Sequence, residues 1–217
     1  MVEIAAILLA AGSASRYRAA GGGASKLVAP LAGKPLVRHA AEAALGAKAR
    51  PIVVVTGYDR SAVEAALDGL PLQFTHNPDY VLGLASSLNA GVAALPASAD
   101  GAIVLLGDMP AVTPALIDSL IGAFAARPEA LAAAPVSEGR RGNPALLSRE
   151  LFPAIAALSG DEGARKLLAS AGPGQVIEVE IAGLAASLDV DTPDALEEAR
   201  QALLQQSGRR WPAKPVG

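Results

Sequence analysis

Three groups of residues in this chain have the types and spacing for chemistry on a phosphate. The first is Leu9-Ala10-Ala11-Gly12-Ser13-Ala14-Ser15-Arg16, followed by a loop through Gly21-Gly22-Gly23 to Lys26. Small residues directly after an apolar run let backbone N–H groups approach a phosphate chain closely, and Arg16 and Lys26 supply cationic charge for an anionic triphosphate. The segment has neither the GKS or GKT ending of a P-loop nor a GxGxxG fingerprint, and its bland alternative is an exposed Ala/Gly/Ser loop. The second group is Gly107-Asp108-Met109-Pro110, immediately after the apolar run AIVLL. A carboxylate at the carboxyl end of a buried strand sits where ligands bind and suits Mg²⁺, although an Asp there also serves as a turn or cap before Thr113. The third is Asp189-Val190-Asp191-Thr192-Pro193, whose two carboxylates either complete a metal site or simply open a helix.

These groups need a frame. Ile4–Ala10, Pro51–Thr56, Leu72–Thr75, Ala102–Leu106 and Leu131–Pro135 read as strands. Leu36–Leu45, Arg60–Leu67, Ser86–Leu95 and Pro114–Phe124 carry helical spacing between them. Near-continuous apolar strands alternating with helices imply an α/β fold with a mostly parallel central sheet covered on both faces. Ligands then bind beyond the carboxyl ends of the strands, after residues 10, 56 and 106. Past residue 136 the pattern changes to a polar loop (Ser137–Pro144), a short apolar run, helices near Arg149–Leu158 and Glu162–Ala171, and an alternating strand over Gln175–Ile181. A last helix over Pro193–Gln206 leads into a mobile tail, 207–217. The reading is one domain over residues 1–206, with a nucleotide-binding part (1–135) and an acceptor-binding part (136–192).

Composition narrows the function classes. Of 217 residues, 52% are hydrophobic but only 3% aromatic, so Ala, Leu, Val and Ile must fill the core. A net charge of -3 provides no basic field for nucleic acid. The absence of cysteine excludes disulfides, thiolate metal sites and cysteine nucleophiles, and suits a cytoplasmic location. The N-terminal apolar run follows Glu3 with no Lys or Arg before it, against the pattern of a signal peptide, and no run reaches the ~20 residues of a membrane span. His39 and His76 have no partner at metal-ligand or triad spacing and are expected to be structural or exposed.

Taken together, LAAGSASR…SKL, GDMP, GRRGNP, GDEGAR and DVDTP follow the order seen in the molybdenum cofactor nucleotidyltransferases, which the chain resembles from Ile4 to Leu196. It is most similar to the cytidylyltransferase branch, having Ala11 where the guanylyltransferase branch has a second Gly. The resemblance implies a Rossmann-like three-layer nucleotidyltransferase fold and transfer of CMP from CTP to molybdopterin, CTP being favoured over GTP, with Mg²⁺ as cofactor. It further implies that Leu9, Ala10, Ala11 and Gly12 hold the nucleotide, with Arg16 and Lys26 on the triphosphate. Asp108 would bind Mg²⁺, with Asp191 as second acidic ligand and Asp189 as its rival. Gly83 and Ser87 would lie against the base or ribose. Arg141, Gly142, Asn143, Pro144, Asp161, Gly163 and Arg165 would line the acceptor pocket, and a molybdoenzyme would receive the product. Neither nucleic acid nor membrane is an expected partner.

The sequence departs from the family in two places. The loop between Arg16 and Lys26 is longer than the usual form, and Asn143 replaces a common His, which leaves the acceptor open. Transfer to a sugar phosphate, polyol phosphate or phospholactate is the neighbouring reading, and nucleotide or cofactor binding without turnover is the other.

Overall fold

The structure, a computed structural model, describes residues 2–181 and 189–208, with side chains described through residue 203. The first strand, β1 (Ile4–Ala10), is buried at every position, as a central strand covered on both faces requires. A short helix α1 (Ser15–Ala19) and a 3₁₀ turn (Lys26–Val28) lead to a small hairpin, β2 (Pro30–Leu31) and β3 (Lys34–Pro35). The chain continues through α2 (Leu36–Gly46), β4 (Ile52–Thr56), α3 (Arg60–Ala66), β5 (Gln73–His76), α4 (Leu84–Ala93), β6 (Gly101–Leu106) and α5 (Pro114–Ala125). The remainder comprises β7 (Ala132–Ser137), β8 (Arg140–Arg141), β9 (Ala145–Ser148), α6 (Phe152–Ile155), α7 (Ala164–Ser170), β10 (Val176–Glu180) and α8 (Pro193–Gly208).

The main sheet runs in the order β10-β7-β9-β6-β1-β4-β5, with β8 paired to β7. Strands β6, β1, β4 and β5 are mutually parallel, as are β7 and β10; β9 alone runs against both of its neighbours. It follows that β7 points the same way as β6, so the loops after both strands emerge on one edge. The register pairs Leu9 with Leu106 and Ala10 with Thr56, bringing the segments that start at Ala11, Gly57 and Gly107 out side by side.

Alternation along β1 divides the core. Ile4, Ala6, Leu8 and Ala10 face a cluster with Val37, Ala40 and Ala44 of α2, Val63 of α3, and Ile117 and Leu120 of α5. Ile7 and Leu9 face the opposite cluster, with Leu88 of α4, Ile155 of α6 and Leu167 and Leu168 of α7. This is a three-layer, Rossmann-like α/β sandwich with a mostly parallel sheet. Small residues set the layer spacing: a Cβ on Gly91 in α4 would lie 2.5 Å from Ile7 Cγ2. Thr113 caps α5 by accepting from the Leu116 N–H, with Pro114 in the first helical turn. Thr192 accepts likewise from Ala195 N–H at the start of α8.

The structure amends several expected elements. The apolar run after Pro144 is the antiparallel strand β9, and the polar loop before it is a hairpin turning on Glu138 and Gly139, both at positive φ. The helix expected near Arg149–Leu158 is only a 3₁₀ turn (Arg149–Leu151) and the short α6. Helix α8 extends to Gly208, past the expected end at Gln206, and the tail beyond it lies outside the described residues. No helix among the described residues is long and apolar enough to cross a membrane.

Candidate active site

The carboxyl edge of the sheet is assembled by backbone before any side chain acts. The Gly107 N–H donates to Leu9 O at 2.9 Å, and the Tyr58 N–H to Ala11 O at 3.1 Å, tying the starts of three loops together. A side chain on Gly107 would meet Leu9 O and Leu27 Cδ2 at 3.2 Å, so glycine lets the Asp108 turn pass close to the first loop. The Val190 N–H donates to Asp108 O at 3.1 Å, docking the segment before α8 on the same turn.

Four charged side chains meet there. Lys26 Nζ donates to Asp108 Oδ2 at 2.6 Å and to Asp191 Oδ1 at 2.7 Å; Arg16 Nη1 donates to Asp191 Oδ2 at 2.7 Å. The Lys26 side chain is 12% exposed and that of Asp108 18%, against 36% for Asp191 and 80% for Arg16. Burial alone would push the Lys26 ammonium down, but the charge and hydrogen bond of Asp108, with those of Asp191, outweigh it and hold the group above its ordinary value. The hydrogen bond from Lys26 leads in holding the Asp191 carboxyl low; burial opposes it, and the charges of Lys26 and Arg16 assist. Asp189 is exposed, so it is Asp191 that reaches the cluster.

Two buried oxygens here have no partner among the described residues: Asp108 Oδ1 and Ser25 Oγ. Such atoms are costly unless something meets them. An orphaned carboxylate oxygen beside a second carboxylate fits a hard divalent cation, which takes oxygen ligands. Ser25 opens the SKL piece of the sequence but is given no role there.

The long loop between Arg16 and Lys26 folds back on itself. The Gly22 N–H donates to Tyr17 O at 2.9 Å, and a Cβ at Gly22 would strike the Tyr17 ring at 2.3 Å. Buried Tyr17 packs with Ala14, Ala29 and Leu196 of α8, so the insertion rests on a small core of its own. Beside it, the Arg18 guanidinium lies 4.8 Å over the Tyr58 ring, which meets Tyr80 edge-on.

The other nominated residues form two further groups. Gly83 sits at φ 101°, ψ -175°, and a Cβ there would come within 2.3 Å of the Gly160 carbonyl carbon. The Ala85 N–H donates to Gly160 O at 3.0 Å, so the start of α4 is joined to the turn bearing Asp161. Gly163, before α7, faces Leu84 Cδ2 at the same joint. Ser87 is buried and its hydroxyl accepts from Asn77 Nδ2 at 3.0 Å; Asn77 also donates to Ser86 Oγ and accepts from Asp79 N–H. Asn77 is thus an organising residue at the end of β5 that the sequence reading passed over. Arg141, Gly142, Asn143 and Arg165 line a cavity of about 100 Å³ with Leu168 and Ala169. Arg141 is anchored by Glu178 and Leu168 O. Pro144 is buried and Asp161 exposed; neither lines that cavity. His39 is held by Leu31 O at 2.9 Å, and burial lowers its pKa.

Several known proteins are similar to this chain. Purine catabolism protein PucB of Bacillus subtilis is 31% identical over 91% of this chain and 96% of its own length. Nicotine blue oxidoreductase of Paenarthrobacter nicotinovorans is 31% identical over 89% and 94%. Bifunctional GlmU of Kineococcus radiotolerans is 38% identical, but the match spans 58% of this chain and only 25% of that protein. The crystal structure of Rv0371c from Mycobacterium tuberculosis H37Rv superposes with a TM-score of 0.79 at 27% identity, covering 92% of this chain and 98% of the other. Its manganese complex superposes at 0.77 and 26% identity, covering 93% and 100%. The model of the MobA-like NTP transferase domain matches residues 6–176, and the chain belongs to that family of nucleotidyltransferases.

Proposed function

We propose that this protein transfers CMP from CTP to the terminal phosphate of molybdopterin and releases pyrophosphate. The observation that carries the reading is the Lys26 ammonium held between Asp108 and Asp191 on the ligand edge. Asp108 and Asp191 would hold Mg²⁺, a role that the partnerless Asp108 Oδ1 fits. When bound, the ion supplies Lewis-acid polarisation of the phosphate and offsets charge on the leaving group.

The protein's own residues position and neutralise. Backbone of Leu9, Ala10, Ala11 and Gly12 cradles the nucleotide; Lys26 and Arg16 turn to the triphosphate. An acceptor phosphate oxygen forms a bond to the α-phosphorus in line, while the bond to the bridging oxygen of the β-phosphate breaks and pyrophosphate departs. A phosphate monoester has its second pKa near 6, so the nucleophile is ionised at neutral pH and no general base is needed. Asn77 donates to Ser87 and to Ser86, and Ser86 Oγ donates in turn to Gly83 O, steadying the Gly83 turn and Ser87 that would face the base or ribose. The cavity with Arg141, Gly142, Asn143 and Arg165 would take the body of the acceptor, with Pro144, Asp161 and Gly163 shaping its surroundings. The cysteine-free chain suits a cytoplasmic enzyme that hands its product to a molybdoenzyme.

The test is pyrophosphate release from CTP, GTP and ATP in Mg²⁺, with and without molybdopterin. Expected is release that needs molybdopterin and prefers CTP. Preference for GTP would move the protein to the guanylyl branch; release with a sugar phosphate, polyol phosphate or phospholactate alone would replace the acceptor. No release with any triphosphate would leave a binding protein. A redox reading, prompted by the name of the Paenarthrobacter relative, would require turnover without a triphosphate.

A further inference from the structure

We propose that Lys26 is the resting counter-ion of the carboxylate pair, so that a divalent cation enters only when a triphosphate draws the ammonium away. The proposal rests on the reading of Asp108 and Asp191 as metal ligands. One nitrogen, Lys26 Nζ, lies 2.6 Å from Asp108 Oδ2 and 2.7 Å from Asp191 Oδ1. An ion bound by both acids must sit where both converge, and the ammonium already sits there. Arg16 takes the remaining Asp191 oxygen. Asp108 Oδ1 is therefore the one oxygen of the four with no partner among the described residues.

Charge points the same way. Arg16 and Lys26 balance Asp108 and Asp191, so the resting cluster is neutral. Adding a dication beside a retained ammonium places like charges against each other in a half-buried site, where the repulsion is poorly screened. A triphosphate reverses the balance: it offers Lys26 new anionic partners and supplies the negative charge that lets the ion stay. Lysine suits this exchange, because its ammonium is a compact charge on a flexible four-carbon stem. The metal thus arrives with the triphosphate, and the free protein discriminates against bare divalent ions.

Mn²⁺ alone is the probe, with the electron paramagnetic resonance signal of the free ion as readout, on wild type, Lys26→Met and Lys26→Arg. Lys26→Met should bind Mn²⁺ at least about tenfold more tightly than wild type, a difference of 1.4 kcal/mol, whereas Lys26→Arg, keeping the charge, should stay weak. Equal affinity of wild type and Lys26→Met overturns the exchange while leaving the transfer reading intact. No Mn²⁺ uptake by folded Lys26→Met overturns the carboxylate pair as a metal site, and the proposal with it. Should Lys26→Met fail to fold, the bridged lysine ammonium of the wild type is followed by ¹H–¹⁵N NMR. Mg²⁺ alone should leave its signal in place and CTP with Mg²⁺ should move it; release by Mg²⁺ alone overturns the proposal.

Discussion

Replacing Gly83 by Ala tests the joint between the start of α4 and the turn at Gly160. The backbone at φ 101°, ψ -175° lies in a region that only glycine occupies comfortably, costing about 1–3 kcal/mol for another residue. The added Cβ meets the Gly160 carbonyl carbon at 2.3 Å and its oxygen at 2.4 Å. These are backbone atoms, so no side chain can swing aside. Opening the contact breaks the bond from Ala85 N–H to Gly160 O, worth about 0.5–1.5 kcal/mol. Together the loss is about 2–4 kcal/mol, and at about 2–4 °C per kcal/mol for a chain of this size the melting temperature falls by roughly 5–15 °C. Gly160→Ala is the control: Gly160 has φ 59° but open space around its missing Cβ, so only the left-handed conformation is penalised, about 1–2 kcal/mol. Thermal unfolding followed by circular dichroism should rank wild type above Gly160→Ala above Gly83→Ala. A Gly83→Ala protein melting within about 2 °C of wild type, against the drop expected from the same scaling, would refute the close approach.

Other perturbations separate chemistry from support. Asp108→Asn should abolish metal-dependent pyrophosphate release while the circular dichroism spectrum stays native, and near-wild-type turnover would remove Asp108 from the site. Asp189→Asn should leave turnover unchanged where Asp191→Asn lowers it by at least about tenfold, a loss of about 1.4 kcal/mol in transition-state stabilisation. Arg50 donates to the carbonyls of Ala44, Leu45, Ala47 and Ala49 at the end of α2, so Arg50→Ala should cost about 1–3 kcal/mol in urea unfolding with no change in KM. The Asp191 carboxyl is held low, chiefly by the Lys26 hydrogen bond, so its contribution is present above the unfolded value of about 3.9 and disappears as pH falls through the folded value. Lys26 has the opposite sign: held high against burial by Asp108 and Asp191, it contributes below about 10.5 and loses that contribution as pH rises through its folded value. Urea titrations should therefore show Asp191→Asn flattening the acid limb while most of the alkaline limb, where Asp108 still faces Lys26, survives; Lys26→Met should flatten both, because it removes its own contribution and the partner that holds Asp191 low.

The fold was readable where burial on both faces writes an uninterrupted apolar word, as in β1, β4 and β6. Strand β9 was not, because Ala145–Ser148 is too short to distinguish a strand from the start of a helix and its antiparallel place is decided by distant partners. Lys26, Asp108 and Asp191 stood out by their position after strands and before a helix. Their meeting did not, since the bonds join residues 82 and 165 positions apart. Asn77 was hidden by company: His76-Asn77-Pro78-Asp79 reads as a turn, and only the packed structure shows its amide serving two serine hydroxyls.

The 165-residue span between Lys26 and Asp191 has a consequence for how the protein comes into being. A ribosome adding about 5–20 residues per second presents Lys26 and Arg16 roughly 10–30 seconds before Asp191 exists. Asp108 follows Lys26 by 82 residues, so for about the second half of that interval the loop can meet Asp108 but lacks the acid that closes it, and throughout it Arg16 has no partner from this cluster. Docking of Val190 on the Asp108 turn and of Leu196 beside Tyr17 is what brings the last carboxylate in. Completion of the charged cluster is thus a late event in the life of each molecule, and a nascent chain with a finished sheet is not yet one with a finished centre.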